Sequence, residues 1–241
     1  MVKNMIDIHT HLLPQLDDGS SSVDESKKML GILSEQGVDT VVATPHFYID
    51  RIKVDEFLEL RRKSLDKLLA ETNENRPSIA LGAEVEFLLG LYTMDDIEKL
   101  CISGTRYMLL EMPFSPWSGY FYTTLTKLYS ARGIKPIIAH VERYFEFQQE
   151  EPVEILRKLK DCGALIQINS SFLINKQTRR LALKLINHGF ITFMGSDCHN
   201  LESRPPQFSE GFDIIYKKLG DVGTSAFFYW DNKLKEKLET Y

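Results

Sequence analysis

"MIDIHTHLLPQLDDG", residues 5–19, joins a short apolar run to two histidines, two aspartates and a glycine. An apolar run of this length followed by polar residues reads as a buried strand, with the ionisable groups at its C-terminal end. A lone H-x-H pair is weak, so the rest of the chain has to supply partners. The pattern recurs in "DTVVATPH" (39–46), "SIALGAEVEF" (78–87), "YMLLEMPF" (107–114), "KPIIAHVE" (135–142), "ALIQINS" (164–170) and "FITFMGSD" (190–197). Near-continuous Val, Ile and Leu content suits strands covered on both faces, as parallel strands are.

Amphipathic segments alternate with these runs. "SVDESKKMLGILSEQG" sets Ser22 and Glu25 in capping-box spacing and stops at Gly37. Residues 54–74, about 120–132, 152–162 and 176–188 also carry a helical period, and 90–106 reads as helix plus loop. Strand–helix alternation repeated about seven times points to a parallel α/β fold. Its simplest form is a distorted TIM-like barrel with surrounding helices. An open doubly wound sheet is the alternative, because periodicity does not report closure. The 241 residues suit a single domain spanning 1–241, and no linker or composition break divides them.

Composition narrows the function. A content of 43% hydrophobic and 26% charged residues is that of a globular protein with a real core. The net charge of −5 offers no general basic field for nucleic acid or an anionic membrane. No apolar run reaches the roughly 18 residues of a membrane span, and no cleavable signal is evident, so a cytoplasmic location is expected. Cys101, Cys162 and Cys198 are odd in number and widely spaced, against a disulfide framework. Oligomerisation is left open.

The polar residues fall at strand ends. His9 and His11 end or follow the first strand, His46 the second, Glu84 and Glu86 the third, and Glu111 the fourth. His140 closes the fifth, Asn169 the sixth, and Asp197 and His199 the seventh. In α/β barrels that end of the strands is where active sites form. Residues i and i+2 of an extended segment share a face, so His9 with His11, and Asp197 with His199, can each aim at one point. A nitrogen–oxygen set without thiolate suits Mn²⁺, Fe²⁺ or Zn²⁺. Without a cation, so many converging charges would repel and be costly to desolvate. His188 differs: in the last turn of a helix before Gly189 it favours the helix dipole and stands outside the site.

"DIHTHLLPQLDDG", "ATPHF", "GAEVEF", "LLEMPF", "IIAHVERY" and "GSDCHN" occur in this order within residues 5–206. The set resembles the PHP (polymerase and histidinol phosphatase) superfamily. More narrowly it is similar to the bacterial manganese-dependent tyrosine-protein phosphatases encoded with capsular and exopolysaccharide genes, the CpsB/YwqE type. "DDG" and "HxERY" favour that branch over histidinol phosphatase. The resemblance implies three divalent metals, Mn²⁺ first, with Fe²⁺ or Zn²⁺ as alternatives. His9, His11 and Asp197 would hold one, bridged by Glu84 to a second that Glu111 and His140 complete. Asp18, His46 and His199 would hold the third, with Asp17 the other candidate in "DDG" and Glu84 preferred over Glu86. Asp7 is expected beside the ligands, orienting an imidazole. Arg143 and Arg204 would clamp a phosphoryl group, since guanidinium forks match its oxygens.

The implied reaction is in-line attack of a metal-bound hydroxide on phosphotyrosine, without a covalent enzyme intermediate. Its implied substrate is the tyrosine-rich tail of a capsule-type tyrosine kinase. The competing readings are a small-molecule PHP phosphoesterase, such as a histidinol-phosphate phosphatase, and a non-catalytic metal-binding scaffold; a complete ligand set counts against the scaffold. "CHNLESR" (198–204) formally fits the C-x5-R signature of cysteine phosphatases. It lacks glycine, contains Glu202 and runs into Pro205-Pro206 instead of a helix N-terminus, so no cysteine mechanism is expected. The aromatic run "FSPWSGYFY" (114–122) fits a groove for a tyrosine peptide, a subunit contact or a core edge, and no residue in it is assigned.

Overall fold

The computed structural model describes residues 5–73 and 75–241. Its elements run β1 (Met5–Thr10), α1 (Val23–Glu35), β2 (Val38–Ala43), β3 (His46–Phe47), α2 (Val54–Ala70), β4 (Ser78–Leu81) and β5 (Glu84–Glu86). They continue with β6 (Tyr107–Glu111), α3 (Gly119–Arg132), β7 (Lys135–Ile138), α4 (Pro152–Asp161), β8 (Leu165–Asn169), α5 (Ser170–Ile174), α6 (Arg179–Asn187), β9 (Phe193–Gly195) and α7 (Ser209–Lys235). Two expected strands are each broken in two. Thr44-Pro45 separates β2 from β3, where proline supplies no N–H, and Gly82-Ala83 separates β4 from β5. The ladder is carried across the break by Gly82 N–H to Ala43 O (2.8 Å) and Glu84 N–H to Pro45 O (3.0 Å).

All strand pairs are parallel, in the orders β1-β2-β4 and β3-β5-β6-β7-β8-β9. The open question of closure is answered just beyond β9. Asp197 N–H donates to His9 O (2.8 Å) and His11 N–H to Cys198 O (2.9 Å), a parallel bridge that joins the two ends of the ring. Register then sets the site: His46 lies opposite Glu84, and Glu86 opposite Glu111. Ile6, Ile8, Val42, Leu109, Ile137 and Phe193 form a buried cluster inside the ring, against which Leu234 of α7 packs. A larger apolar layer fills the space between strands and helices.

Three places depart from the expected elements. The fifth strand stops at Ile138, because the chain turns at His140 (φ 29°) into a 3-10 segment, Val141–Phe147. Residues 90–106 form two short 3-10 turns, Leu91–Thr93 and Ile97–Leu100. α7, 27 residues long, has no counterpart in the sequence reading. Its glycines at 211, 220 and 223 weaken the helical signal, and the helix is kinked at Gly220 (φ 63°). Among the described residues no helix is long and apolar enough to cross a membrane.

Candidate metal centre

The "DDG" turn assigns different tasks to its two aspartates. Asp17 Oδ2 accepts from His11 Nδ1 (2.7 Å) and from the His46 backbone N–H (3.0 Å), while Oδ1 accepts from Gly19 N–H (3.0 Å). Asp17 is thereby spent on holding ligands in place. Asp18 turns the other way, with its Oδ1 3.5 Å from both His46 Nε2 and His199 Nε2. The glycine is a steric requirement: a Cβ there would run into the His11 carbonyl and sit 2.6 Å from His11 Cβ. Gly195 in "GSD" is held to the same standard, since a Cβ would lie 2.7 Å from His9 Cβ.

The buried end of the cluster centres on Glu84. Its Oε2 lies 3.0 Å from His9 Nε2 and 3.1 Å from His11 Nε2, and Asp197 Oδ1 faces the same two nitrogens at 3.4 and 3.5 Å. Glu84 Oε1 is 2.8 Å from His140 Nε2, which stands 3.7 Å from Glu111 Oε1. His46 presents Nδ1 to Glu84 Oε2 (3.3 Å) and Glu111 Oε2 (3.8 Å), and Nε2 to Asp18. Three overlapping groups result, each with candidate ligand atoms within 4.8 Å: His9, His11, Glu84, Asp197; His11, Asp18, His46, His199; and His46, Glu84, Glu111. Eight of the nine expected ligands fall in these groups; the ninth, His140, is in none of them and reaches the cluster through its 2.8 Å contact with Glu84. Glu86 stands outside all three groups. Two of the nine, His140 and Asp197 (φ 55°), occupy the left-handed region that L side chains seldom adopt. Backbone strain of this kind clusters at functional sites.

These residues fit a cation. Gln167 Oε1 takes His9 Nδ1–H (3.2 Å), Asp17 takes His11 Nδ1–H, and the Asp197 carbonyl takes His199 Nδ1–H (3.0 Å). With Nδ1 so protonated, each Nε2 offers a lone pair to the centre. Asp197 Oδ1, His46 Nδ1 and His199 Nε2 are buried with no hydrogen-bond partner. Each buried polar atom left so costs about 1–3 kcal/mol. Three of them amount to a large share of the roughly 5–15 kcal/mol by which a domain is stable. The titration behaviour agrees. Burial pushes the Glu111 carboxyl up to about 7, assisted by the nearby Glu84 charge. Burial opposes ionisation of Glu84 too, yet His9, His11 and His140 hold it well below the usual range. Burial and the His11 charge drive His199 down to about 3. Cation binding removes such conflicts.

Arg143 Nη2 (2.5 Å), Arg204 Nη2 (2.7 Å) and Asn169 Nδ2 (2.9 Å) all donate to Asp197 Oδ2, the oxygen facing away from His9 and His11. Both arginine side chains are about one-third exposed and line a cavity of about 230 Å³ with Ser196 and Ser203. Asp7 does not orient an imidazole. Its Oδ1 accepts from the backbone N–H of His9 (3.3 Å) and Ser196 (2.9 Å), so it ties β1 to the loop after β9. The orienting group is Gln167, which also accepts from His140 N–H (2.7 Å) and donates to Asn169 Oδ1 (2.9 Å). Period-two alternation in "LIQIN" puts Gln167 on the face of Asn169, a signal that could have found it. Cys198 is fully buried, and burial raises its thiol far above the ordinary range, which leaves no thiolate to attack. Phe114 is exposed, with its ring 6.5 Å from that of His140 and 5.2 Å from Tyr144.

The family model described as "Capsular polysaccharide synthesis, CpsB/CapC" matches residues 5–235. The chain belongs to this family. As a CpsB/CapC member it is 34% identical to the tyrosine-protein phosphatase CpsB of Streptococcus pneumoniae, over 96% of this chain and 97% of that one. It is 32% identical to the tyrosine-protein phosphatase YwqE of Bacillus subtilis, over 90% and 85% of the two chains. A chain from the crystal structures of YwqE and CpsB, described there as unique metal-dependent tyrosine phosphatases, superposes with a TM-score of 0.82 at 29% identity. That match covers 98% of this chain and 96% of the other. Histidinol phosphate phosphatase from Lactococcus lactis gives 0.58 at 13% identity over 93% and 94% of the chains, a likeness of fold alone.

Proposed function

We propose that this CpsB/CapC chain is a metal-dependent protein-tyrosine phosphatase of capsular or exopolysaccharide synthesis, acting in the cytoplasm as one domain. The substrate proposed is phosphotyrosine in the tail of a capsule-type tyrosine kinase. One observation carries this reading: the ligand groups share a barrel mouth with the arginine-lined cavity, and Asp197 belongs to both. Three divalent ions, Mn²⁺ by preference, are assigned to the site. His9, His11, Glu84 and Asp197 would hold the first, Glu84, Glu111 and His140 the second, and Asp18, His46 and His199 the third. The nitrogen–oxygen donor set suits Mn²⁺, with Fe²⁺ or Zn²⁺ as substitutes. Bound there, the ions supply an activated water and neutralise charge on the attacking and leaving oxygens.

The remaining work falls to the chain. Arg143 and Arg204 bind the phosphoryl oxygens from the cavity side and fix their orientation. Gln167 and Asp17 keep the His9 and His11 rings aimed. Because phenolate leaves readily, protonation of the leaving group demands less of the protein than it would for an alkyl ester. The test is hydrolysis of a phosphotyrosine peptide by chelated protein, with Mn²⁺, Zn²⁺ or Mg²⁺ added back and histidinol phosphate as the competing substrate. Metal-dependent turnover favouring the peptide is expected. Metal-independent turnover, or a large preference for histidinol phosphate in kcat/KM, overturns the proposal.

A further inference from the structure

Two cavities adjoin on the flank of the metal centre. The nearer, about 550 Å³, opens beside Asp18 and His46 and passes Tyr48, Arg51 and Phe57. The farther, about 540 Å³, is bordered by Gln15, Ser64, Lys63 and Lys67. Leu16 and Leu60 line both, so together they form one groove leading outward from the cluster. Its walls are fixed. Ser64 Oγ donates to Pro14 O (2.7 Å), pinning the loop that carries Asp17 and Asp18 against α2. At the inner end the Tyr48 ring stacks on His46 (5.3 Å between centroids), and the Arg51 guanidinium lies 4.2 Å over Tyr48.

The groove has an apolar floor and a basic rim. Leu60 is exposed, although it is a large aliphatic side chain. Besides the two aspartates of the metal centre, its charged lining residues are Arg51, Lys63, Lys67 and one carboxylate, Asp66. Counted with Asp17 and Asp18 the lining is balanced at three cations to three carboxylates, so the positive excess belongs to the part of the groove away from the metal centre, in a chain whose net charge is −5. The Lys63–Glu59 (2.5 Å) and Asp66–Arg62 (2.9 Å) pairs are exposed i,i+4 contacts along α2, weak enough for an incoming carboxylate to compete.

We infer that this groove docks the peptide on one side of the phosphotyrosine and selects flanks carrying Asp or Glu. The inference rests on the phosphatase reading above. Continuity with the metal centre makes the occupant part of the substrate chain, and the basic rim makes that part acidic. Leu16 and Leu60 offer apolar contact for the peptide, while Arg51, Lys63 and Lys67 set the charge preference.

The test uses the Mn²⁺-loaded protein and two phosphotyrosine peptides that differ only in acidic against uncharged flanking residues. Exposed ion pairs are individually weak, so the wild type should favour the acidic peptide by about three- to tenfold in kcat/KM. In Lys63→Gln/Lys67→Gln the ratio should fall to about one, with the change carried by KM. Leu60→Ser should raise KM for both peptides and leave their ratio alone. Equal kcat/KM for the two peptides in the wild type, or an unaltered ratio in the double variant, overturns the inference. p-Nitrophenyl phosphate on the wild type separates the two levels: with turnover intact, lost flank selectivity refutes only the groove. Absence of turnover refutes the phosphatase reading and this inference together.

Discussion

The two ends of the cluster are built to different tolerances. At the inner end His9, His11, Glu84 and Asp197 are buried, and each is fixed by a second partner: Gln167, Asp17, His140, or the arginines with Asn169. At the outer end the Asp18 side chain is 64% exposed, and its contacts are the 3.5 Å approaches to His46 and His199. An enclosed, oriented site binds metal tightly because little reorganisation is left to do. An open one exchanges its metal more readily and leaves coordination positions free for substrate. With three ions bound as proposed, the inner ones would be structural to the site and the outer one the most easily lost.

The largest way to break that contrast is Glu84→Gln. It removes the carboxylate shared by two ligand groups. Peptide hydrolysis should drop by more than the roughly 10–100-fold typical of a residue that only orients a ligand. Asp17→Asn and Gln167→Ala should each fall within that 10–100-fold range, read as kcat/KM or as weakened metal binding. Asp18→Asn sharpens the comparison: the number of Mn²⁺ ions retained after gel filtration should fall by one while the inner ions stay. Metal itself should stabilise the fold. At about 100 times Kd a single site adds about 2.7 kcal/mol, which for a chain of this size raises Tm by roughly 5–10 °C. The smallest effect is expected from Cys198→Ser, which should cost about 1–3 kcal/mol in thermal stability for burying a hydroxyl and leave metal-dependent turnover within about twofold.

The same contrast explains what was legible in the sequence. The expected ligands were readable one strand at a time, because each follows an apolar run and barrel sites form at that end. His9 and Glu84 needed no knowledge of each other to be noticed. Their supporting partners were harder. Gln167 meets His9 only because β8, β9 and β1 lie side by side once the ring closes, and closure leaves no trace in periodicity. The division of labour between Asp17 and Asp18 depends on a turn that Gly19 permits, and residue spacing alone cannot separate two adjacent aspartates. Asp197 and His199 do not aim at one point as strand alternation suggested: the left-handed turn at Asp197 sends them to two different ligand groups, Asp197 beside His9 and His199 beside Asp18. α7 was missed because its glycines mask a helix whose stability comes from packing against the barrel.

In the proposed reaction this set of strand-end residues works as a metal cluster on phosphotyrosine. Its most direct test is turnover of a phosphotyrosine peptide measured against the number of Mn²⁺ ions bound per chain, starting from fully chelated protein. No turnover is expected at zero, and a rise that is complete at three. Full turnover by the metal-free chain, or activity unrelated to occupancy, would contradict it.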